Sequence, residues 1–372
     1  MVENLPPIEE FALEPMLDDL RRLVEVESPS HDATQLAVSA AELAAMIERH
    51  LGTPAELVDG PAGPHVWWRG GPSSTVLLLG HHDTVFPTGT LAERPFAVRD
   101  GKATGPGVFD MLAGIVQALH GLAALRAGGR SLDGVELLFS ADEEVGSATS
   151  RALIEERARA CGAVLVLEGS ADGGALKTGR KGCGTFEVAI NGRAAHAGLE
   201  PERGVNALVE ASHQVLAIAA IGRPDVGTTV TPTVATAGTA DNVVPAEARV
   251  RVDVRVESAD EARRVESEMV ALESAHPEAG LVVTGAVNRP PMPESASASL
   301  FPLATSVHPY LDGVAVGGGS DGNFTAAIGV PTLDGLGAVG GGAHANHEFV
   351  EVDTMPARAQ LIAGIVAQLL AS

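Results

Sequence analysis

Aromatic residues make up only 3% of this 372-residue chain, with a single tyrosine, so its interior must be built mainly from Val, Leu, Ile and Ala. Cysteine is almost absent: Cys161 and Cys183 are too few for a disulfide framework or a thiolate zinc site. Positive charge is scarce, with 25 Lys plus Arg against 48 Asp plus Glu and a formal net charge of -23. A field of that sign repels nucleic acid and anionic lipid, so neither is expected as a partner, although a local cationic pocket is not excluded. No apolar run approaches the roughly 20 residues needed to span a bilayer. The opening MVENLPPIEEFALEP lacks the cationic start and apolar core of a secretory signal. The expectation is a cytoplasmic protein with no membrane partner.

What is present is an ordinary globular composition, 45% apolar and 20% charged, at a length that suits two domains. Up to about residue 181, apolar strand-like runs alternate with helical patterns, the signature of an α/β unit with a mainly parallel sheet. The runs 17–26, 34–50 and 111–126 read as helices, and TVLLL (75–79), VELLF (135–139) and AVLVL (163–167) as buried strands. Between about 182 and 292 the rhythm changes to strand, helix, strand, strand, helix, strand, which is the ferredoxin-like order. Its clearest member is RVRVDVRV (249–256), a strict alternation of valine with charge. After Pro290, Pro291 and Pro293 the α/β style resumes, with a last helix at about 354–371. The expected architecture is therefore a discontinuous α/β domain, 1–181 and 293–372, with a mainly parallel mixed sheet, interrupted by an inserted α+β domain at 182–292.

Chemistry-bearing residues collect where the strands end. TVLLL leads through Gly80 into His81-His82-Asp83, VELLF into Asp142-Glu143-Glu144, and AVLVL directly into Glu168. Ligands of open α/β sheets bind beyond the carboxyl ends of the strands. Asp110, after GPGVF, and His344, in a glycine-rich loop, join the candidates. Singly, Asp110 reads as a helix N-cap, Glu143-Glu144 as an acidic turn and Glu168 as a capping or surface carboxylate. Their joint placement favours a cluster. The other histidines, His50 and His120 among them, have no partner pattern and read as structural or solvated; His82 and His347 flank ligand candidates.

GHHDTV, GPGVFDMLAG, SADEEVGS, VLEGS, GRAAHAG and HANHEFV fall in the order and spacing of the co-catalytic di-zinc metallopeptidases, and the chain resembles that family over nearly its whole length. The family includes glutamate carboxypeptidases, acetylornithine deacetylases, succinyl-diaminopimelate desuccinylases and aminoacylases. DTVFPTGTLAERPF, DEEVGS and HAGLEPERGVNALVEAS are most similar to the glutamate carboxypeptidase branch. The resemblance implies a zinc-peptidase-like fold whose inserted domain serves as lid and dimerisation surface, and two zinc ions per subunit, with cobalt or manganese as substitutes. It implies that His81 and Glu168 hold one ion, Glu144 and His344 the other, and that Asp110 bridges them. Asp83 would orient His81, and a cis peptide would follow Asp110. Glu143 would be the general base toward a water shared by the ions. His196 would donate to the developing oxyanion, in dimeric relatives across to the partner subunit. Arg255 and Asn242 would bind the substrate's terminal carboxylate, with Arg289 and the backbone at Gly318 and Gly319 as further candidates. Leu112 and Ala113 depart from the family's usual Lys and Gly.

The implied activity is hydrolysis of an amide or peptide bond that releases a C-terminal amino acid, on a small peptide or N-acyl amino acid, by a homodimer. An N-acyl amino acid deacylase or desuccinylase is the alternative within hydrolases. A catalytically silent, metal-stabilised binding protein is the alternative outside them.

Overall fold

Short Val- and Leu-rich runs in the first half of the chain form a six-stranded sheet in the computed structural model, which describes residues 5–371. Its strands are Glu56–Val58 (β1), His65–Arg69 (β2), Ser74–His81 (β3), Gly134–Ser140 (β4) and Val164–Val166 (β5), with Thr332–Leu333 at one edge. The order is β1-β2-β4-β3-β5 and then Thr332–Leu333. β3 is parallel to β4 and β5, and Thr332–Leu333 is parallel to β5, while β1 and β2 add an antiparallel edge. The apolar runs are nearly continuous because both faces are covered. Val76 and Leu78 join one core cluster, and Leu77 and Leu79 another with Ile154 and Ala158.

Helices Leu13–Val24 (α1), Ala33–Leu51 (α2), Ala113–Ala127 (α3) and Arg151–Cys161 (α4) cover this sheet together with the C-terminal Met355–Leu369. α1 buries the stripe Met16, Leu17, Leu20, Leu23 and Val24. α2 starts at Asp32, whose carboxylate accepts the N–H groups of Thr34 and Gln35, and it stops at Gly52 in the left-handed region, φ 77°.

One sequence expectation is corrected. Val108–Ala127 is a 20-residue helical stretch long and apolar enough to cross a bilayer, the one such helix among the described residues, where no apolar run of that kind was expected. Its apolar character has a plainer cause, since 78% of that window is buried in the core. Leu112 and Ala113, the departures from the family pattern, are both core residues there, so they pack the start of the helix rather than wall a cleft. A second small sheet, Gly340–Gly341, Phe349–Glu351, Lys102–Thr104 and Ala97–Arg99, was not legible in the sequence because strands this short carry no period.

The chain divides into two compact units. The first runs to Gly179 and resumes at Met292–Val316 and from Ser320; the second is Arg180–Pro291 with Gly317–Gly319. The second unit has four antiparallel strands, Gly182–Asn191 (β6), Thr229–Ala237 (β7), Glu247–Val256 (β8) and Gly280–Arg289 (β9), in the order β7-β8-β6-β9. Val250, Val252, Val254 and Val256 of β8 are buried. They pack with Ala207, Ala211 and Ile218 of Ala207–Ala220 (α5) and Val265 and Met269 of Ala259–Val270 (α6). This is the ferredoxin-like arrangement.

Candidate metal centre

β3 ends at His81, and the ring is fixed from its far side: Nδ1 lies 2.9 Å from the backbone oxygen of Asp83 and 3.5 Å from its carboxylate. The expected carboxylate–histidine pair is thus mainly a backbone contact. The Asp83 carboxylate instead accepts the N–H groups of Glu143 and Glu144 at 3.1 and 3.2 Å and the Ser30 hydroxyl at 2.7 Å. One buried carboxylate therefore ties the end of β3 to the turn after β4. That turn is further held by Asp142, which accepts the Thr149 N–H and hydroxyl at 2.7 and 2.8 Å, and by the Ser147 hydroxyl on Asp321.

β5 delivers Glu168 through Leu167. Gly114 of α3 and Gly337 both abut the Leu167 carbonyl, where a Cβ at either position would collide with it. Asp110 sits before α3 with non-helical angles, φ -116° and ψ 89°, and its peptide bond to Met111 is cis, as the resemblance implied. The small sheet carries the 342–348 loop to the same place, with His344 at φ 63°.

The five candidate ligands converge. His81 Nε2 lies 3.3 Å from Asp110 Oδ1 and 3.7 Å from Glu168 Oε1. His344 Nε2 lies 3.2 Å from Asp110 Oδ2 and 2.9 Å from Glu144 Oε2. The two oxygens of Asp110 are thus divided between the two imidazoles, one facing each. Glu143 groups with His81 and Glu168, their ligand atoms within 4.8 Å of one another, and His81, Asp110 and Glu144 form a second such group.

With protons as the only cations, burial lowers the pKa of His81, but its bonds to Asp110 and Asp83 reverse that and raise it well above the ordinary value. The same kind of contact to Asp110 and Glu144 pushes His344 up to about 10. Burial opposes ionisation of Asp110, and the imidazoles of His344 and His81 overcome it, holding the carboxyl far below its usual range. Imidazoles that hold a proton this firmly among carboxylates occupy a site built for positive charge. Two imidazole nitrogens with three carboxylates are also a donor set suited to zinc and its neighbours, and their -3 charge leaves +1 against two divalent ions.

Sequence reasoning missed Glu348. It is fully buried; its Oε1 accepts the N–H groups of Phe109 and Asp110 at 2.9 Å, and its Oε2 that of Gly107 at 3.0 Å. Burial pushes its carboxyl up to about 7 despite those donors. The only signal was its place in HANHEFV, four residues after His344.

The remaining candidates lie in the second unit. His196 is exposed, and its Nδ1 accepts the N–H groups of Gly198 and Leu199 at 3.1 and 3.2 Å, which leaves Nε2 as the ring's donor. It bridges to Val243, next to Asn242, whose carbonyl accepts the Ala197 N–H. Arg255 is forked onto Asp253 at 2.9 and 3.0 Å and also touches the Cys183 sulfur. Arg289 is buried and, like Arg255, sits opposite Cys183 in the sheet. The expected amide cradle at Gly318 and Gly319 has the opposite sense in part, since both carbonyls accept from Arg180 at 3.1 and 3.2 Å.

A model of Peptidase family M20/M25/M40 matches residues 77–368. The chain belongs to that family. It is 34% identical to carboxypeptidase G2 of Pseudomonas sp. (strain RS-16) over 374 residues, covering 95% of this chain and 89% of the relative. It is 28% identical to a succinyl-diaminopimelate desuccinylase of Gluconacetobacter diazotrophicus, covering 84% and 86%. An M20 family metallo-carboxypeptidase from Sulfolobus solfataricus has the same fold, with a TM-score of 0.75 at 15% identity over 97% of this chain and 99% of that one. The M20 chain is a metal-dependent hydrolytic enzyme acting on a peptide or acyl amino acid bond.

Proposed function

We propose that the chain is a two-metal carboxypeptidase, zinc-loaded or carrying cobalt or manganese, that releases a C-terminal amino acid of the glutamate type. The observation that carries this reading is the division of the Asp110 oxygens between His81 and His344, with Glu168 beside one and Glu144 beside the other. When bound, the ions supply Lewis acidity toward the scissile carbonyl and toward a water molecule. Glu143, whose backbone N–H is anchored on Asp83, is assigned to take the water proton and return it to the leaving nitrogen as the C–N bond breaks. A cavity of about 360 Å3 beside Glu144, lined by Pro29, His31, Asp32, Thr84, Val85 and Val145, is the place for the acyl side of the substrate in this reading. Arg255, Arg289 and Asn242 are the groups for the terminal carboxylate, and His196 Nε2 for the oxyanion. With both cysteines free, the cytoplasm is the compartment this reading favours.

The similarity to a desuccinylase favours N-acyl amino acid deacylation as the second reading. A hydrolysis screen of C-terminal glutamyl peptides, folate and N-acyl amino acids, with metal content measured in parallel, separates the two. Exhaustive dialysis against a chelator is expected to abolish turnover, and added zinc, cobalt or manganese to restore it. Activity that survives the loss of all metal would overturn the proposal.

The second unit is proposed as lid and homodimer surface. Leu208, Val209 and Leu216 of α5 and Val234 of β7 are 48% to 71% exposed, and Leu199 is 79% exposed. Isolated apolar residues are ordinary, but a helix and an adjoining edge strand presenting this many suit a partner. If His196 acts in the partner's centre, mixing a His196→Ala protein with a Glu143→Ala protein should restore about a quarter of wild-type turnover through statistically mixed dimers. No recovery would leave His196 to its own subunit.

A further inference from the structure

We propose that Asp19, His50 and His120 form a separate site for one divalent transition ion of the zinc class. The three residues come from three helices, α1, α2 and α3, and none belongs to the catalytic constellation. The Nε2 atoms of His50 and His120 converge on one oxygen, Asp19 Oδ2, at 2.6 and 3.0 Å. All three donor atoms lie within 4.8 Å of one another. The two rings lie with centroids 4.5 Å apart and planes tilted by 54°.

This is the donor set of an open zinc site, two imidazole nitrogens and a carboxylate oxygen with a position left for water. Bonds of about 2.0–2.2 Å in tetrahedral geometry separate ligand atoms by about 3.3 Å. Reaching that spacing from the present 2.6 and 3.0 Å takes an opening of about 0.7 Å at His50 and about 0.3 Å at His120. Donor spacings in the catalytic cluster, 2.9 Å for His344 to Glu144 and 3.3 Å for His81 to Asp110, are of the same size.

The surroundings support an ion. The side chains of Asp19, His50 and His120 are only 12%, 19% and 13% exposed, shielded from bulk water yet at the rim of the fold. The guanidinium of Arg49 lies 3.6 Å from Asp19 Oδ1, the oxygen the imidazoles do not use, and so orients the carboxylate from behind. The same Arg49 nitrogen pairs with Glu42 at 3.5 Å, so its charge is shared between the two carboxylates. Burial opposes ionisation of Asp19, but the His120 and His50 bonds outweigh it and keep the carboxyl far below its usual range, ready as an anionic ligand. An ion here would clamp α1 and α2 onto α3, the helix that begins beside Asp110.

The test uses the full-length enzyme equilibrated with zinc chloride and freed of loose metal by gel filtration. Wild type is expected to retain one more zinc per chain than a His50→Gln/His120→Gln variant, with turnover within twofold of wild type in both. Zinc is also expected to raise the wild-type melting midpoint by about 2 °C or more beyond the rise seen in the variant. Equal zinc counts in the two proteins would overturn the site and leave a hydrogen-bonded trio only. Should the variant fail to fold, anomalous scattering at the zinc edge from zinc-soaked wild-type crystals decides: a peak bonded to both Nε2 atoms supports the site, and an empty map between them refutes it.

Discussion

Glu143→Gln is expected to lower kcat by about 100- to 10,000-fold, the range in which a positioned general acid–base group contributes. Glutamine keeps the shape and the backbone anchor, since the Glu143 N–H on Asp83 is untouched. It removes only the capacity to hold a proton between the attacking water and the leaving nitrogen. Metal content should stay at the wild-type value, and KM should change far less than kcat, because the lost interaction is one made in the transition state. A variant that keeps full turnover would remove Glu143 from the mechanism. One that loses an ion together with turnover would make it a ligand, a role its grouping with His81 and Glu168 also permits geometrically.

Glu348→Ala should damage the enzyme by a different route. Three N–H groups, those of Gly107, Phe109 and Asp110, end on this one buried carboxylate. Each buried donor left without an acceptor costs about 1–3 kcal/mol, so a loss of at least about 3 kcal/mol in stability is expected. The same deletion frees the backbone of Asp110, and metal affinity should fall by about 10- to 100-fold, as for other residues that orient a ligand. Thermal melts and metal titration read the two effects separately. Glu348→Gln, which retains one oxygen, should fall between wild type and alanine on both. An alanine variant that melts and binds metal like wild type would show that the segment before α3 holds itself.

The candidate ligands could be found in the sequence because β3, β4 and β5 announce themselves as unbroken apolar runs, and their polar residues follow where each run ends. His81, Glu143, Glu144 and Glu168 sit at such ends, and the six motifs tie Asp110 and His344 to them. The β8 alternation likewise exposed the second unit. Glu348 was invisible because a buried acid that accepts only backbone N–H groups has no partner motif for the eye to find. Asp83 lies beside His81 as expected of a residue that orients it, but its carboxylate is nearer the Glu143 and Glu144 amides than the His81 ring. His50 and His120 showed no partner pattern, and Asp19 did not stand out, because three helices must be packed before 19, 50 and 120 become neighbours.

The candidate centre draws its parts from distant stretches of the polypeptide, with His81 before the second unit and His344 and Glu348 after it. A ribosome emits the parallel strands β3, β4 and β5 long before it emits the loop that completes the centre. A chain that stops short of residue 344 holds the sequence of β3, β4 and β5 but lacks both His344 and the covering helix Met355–Leu369, so it cannot assemble the candidate ligand cluster. Under the proposed function, hydrolytic competence waits on His344, and a stop codon before that residue should silence the product and also strip the core of the helix Met355–Leu369.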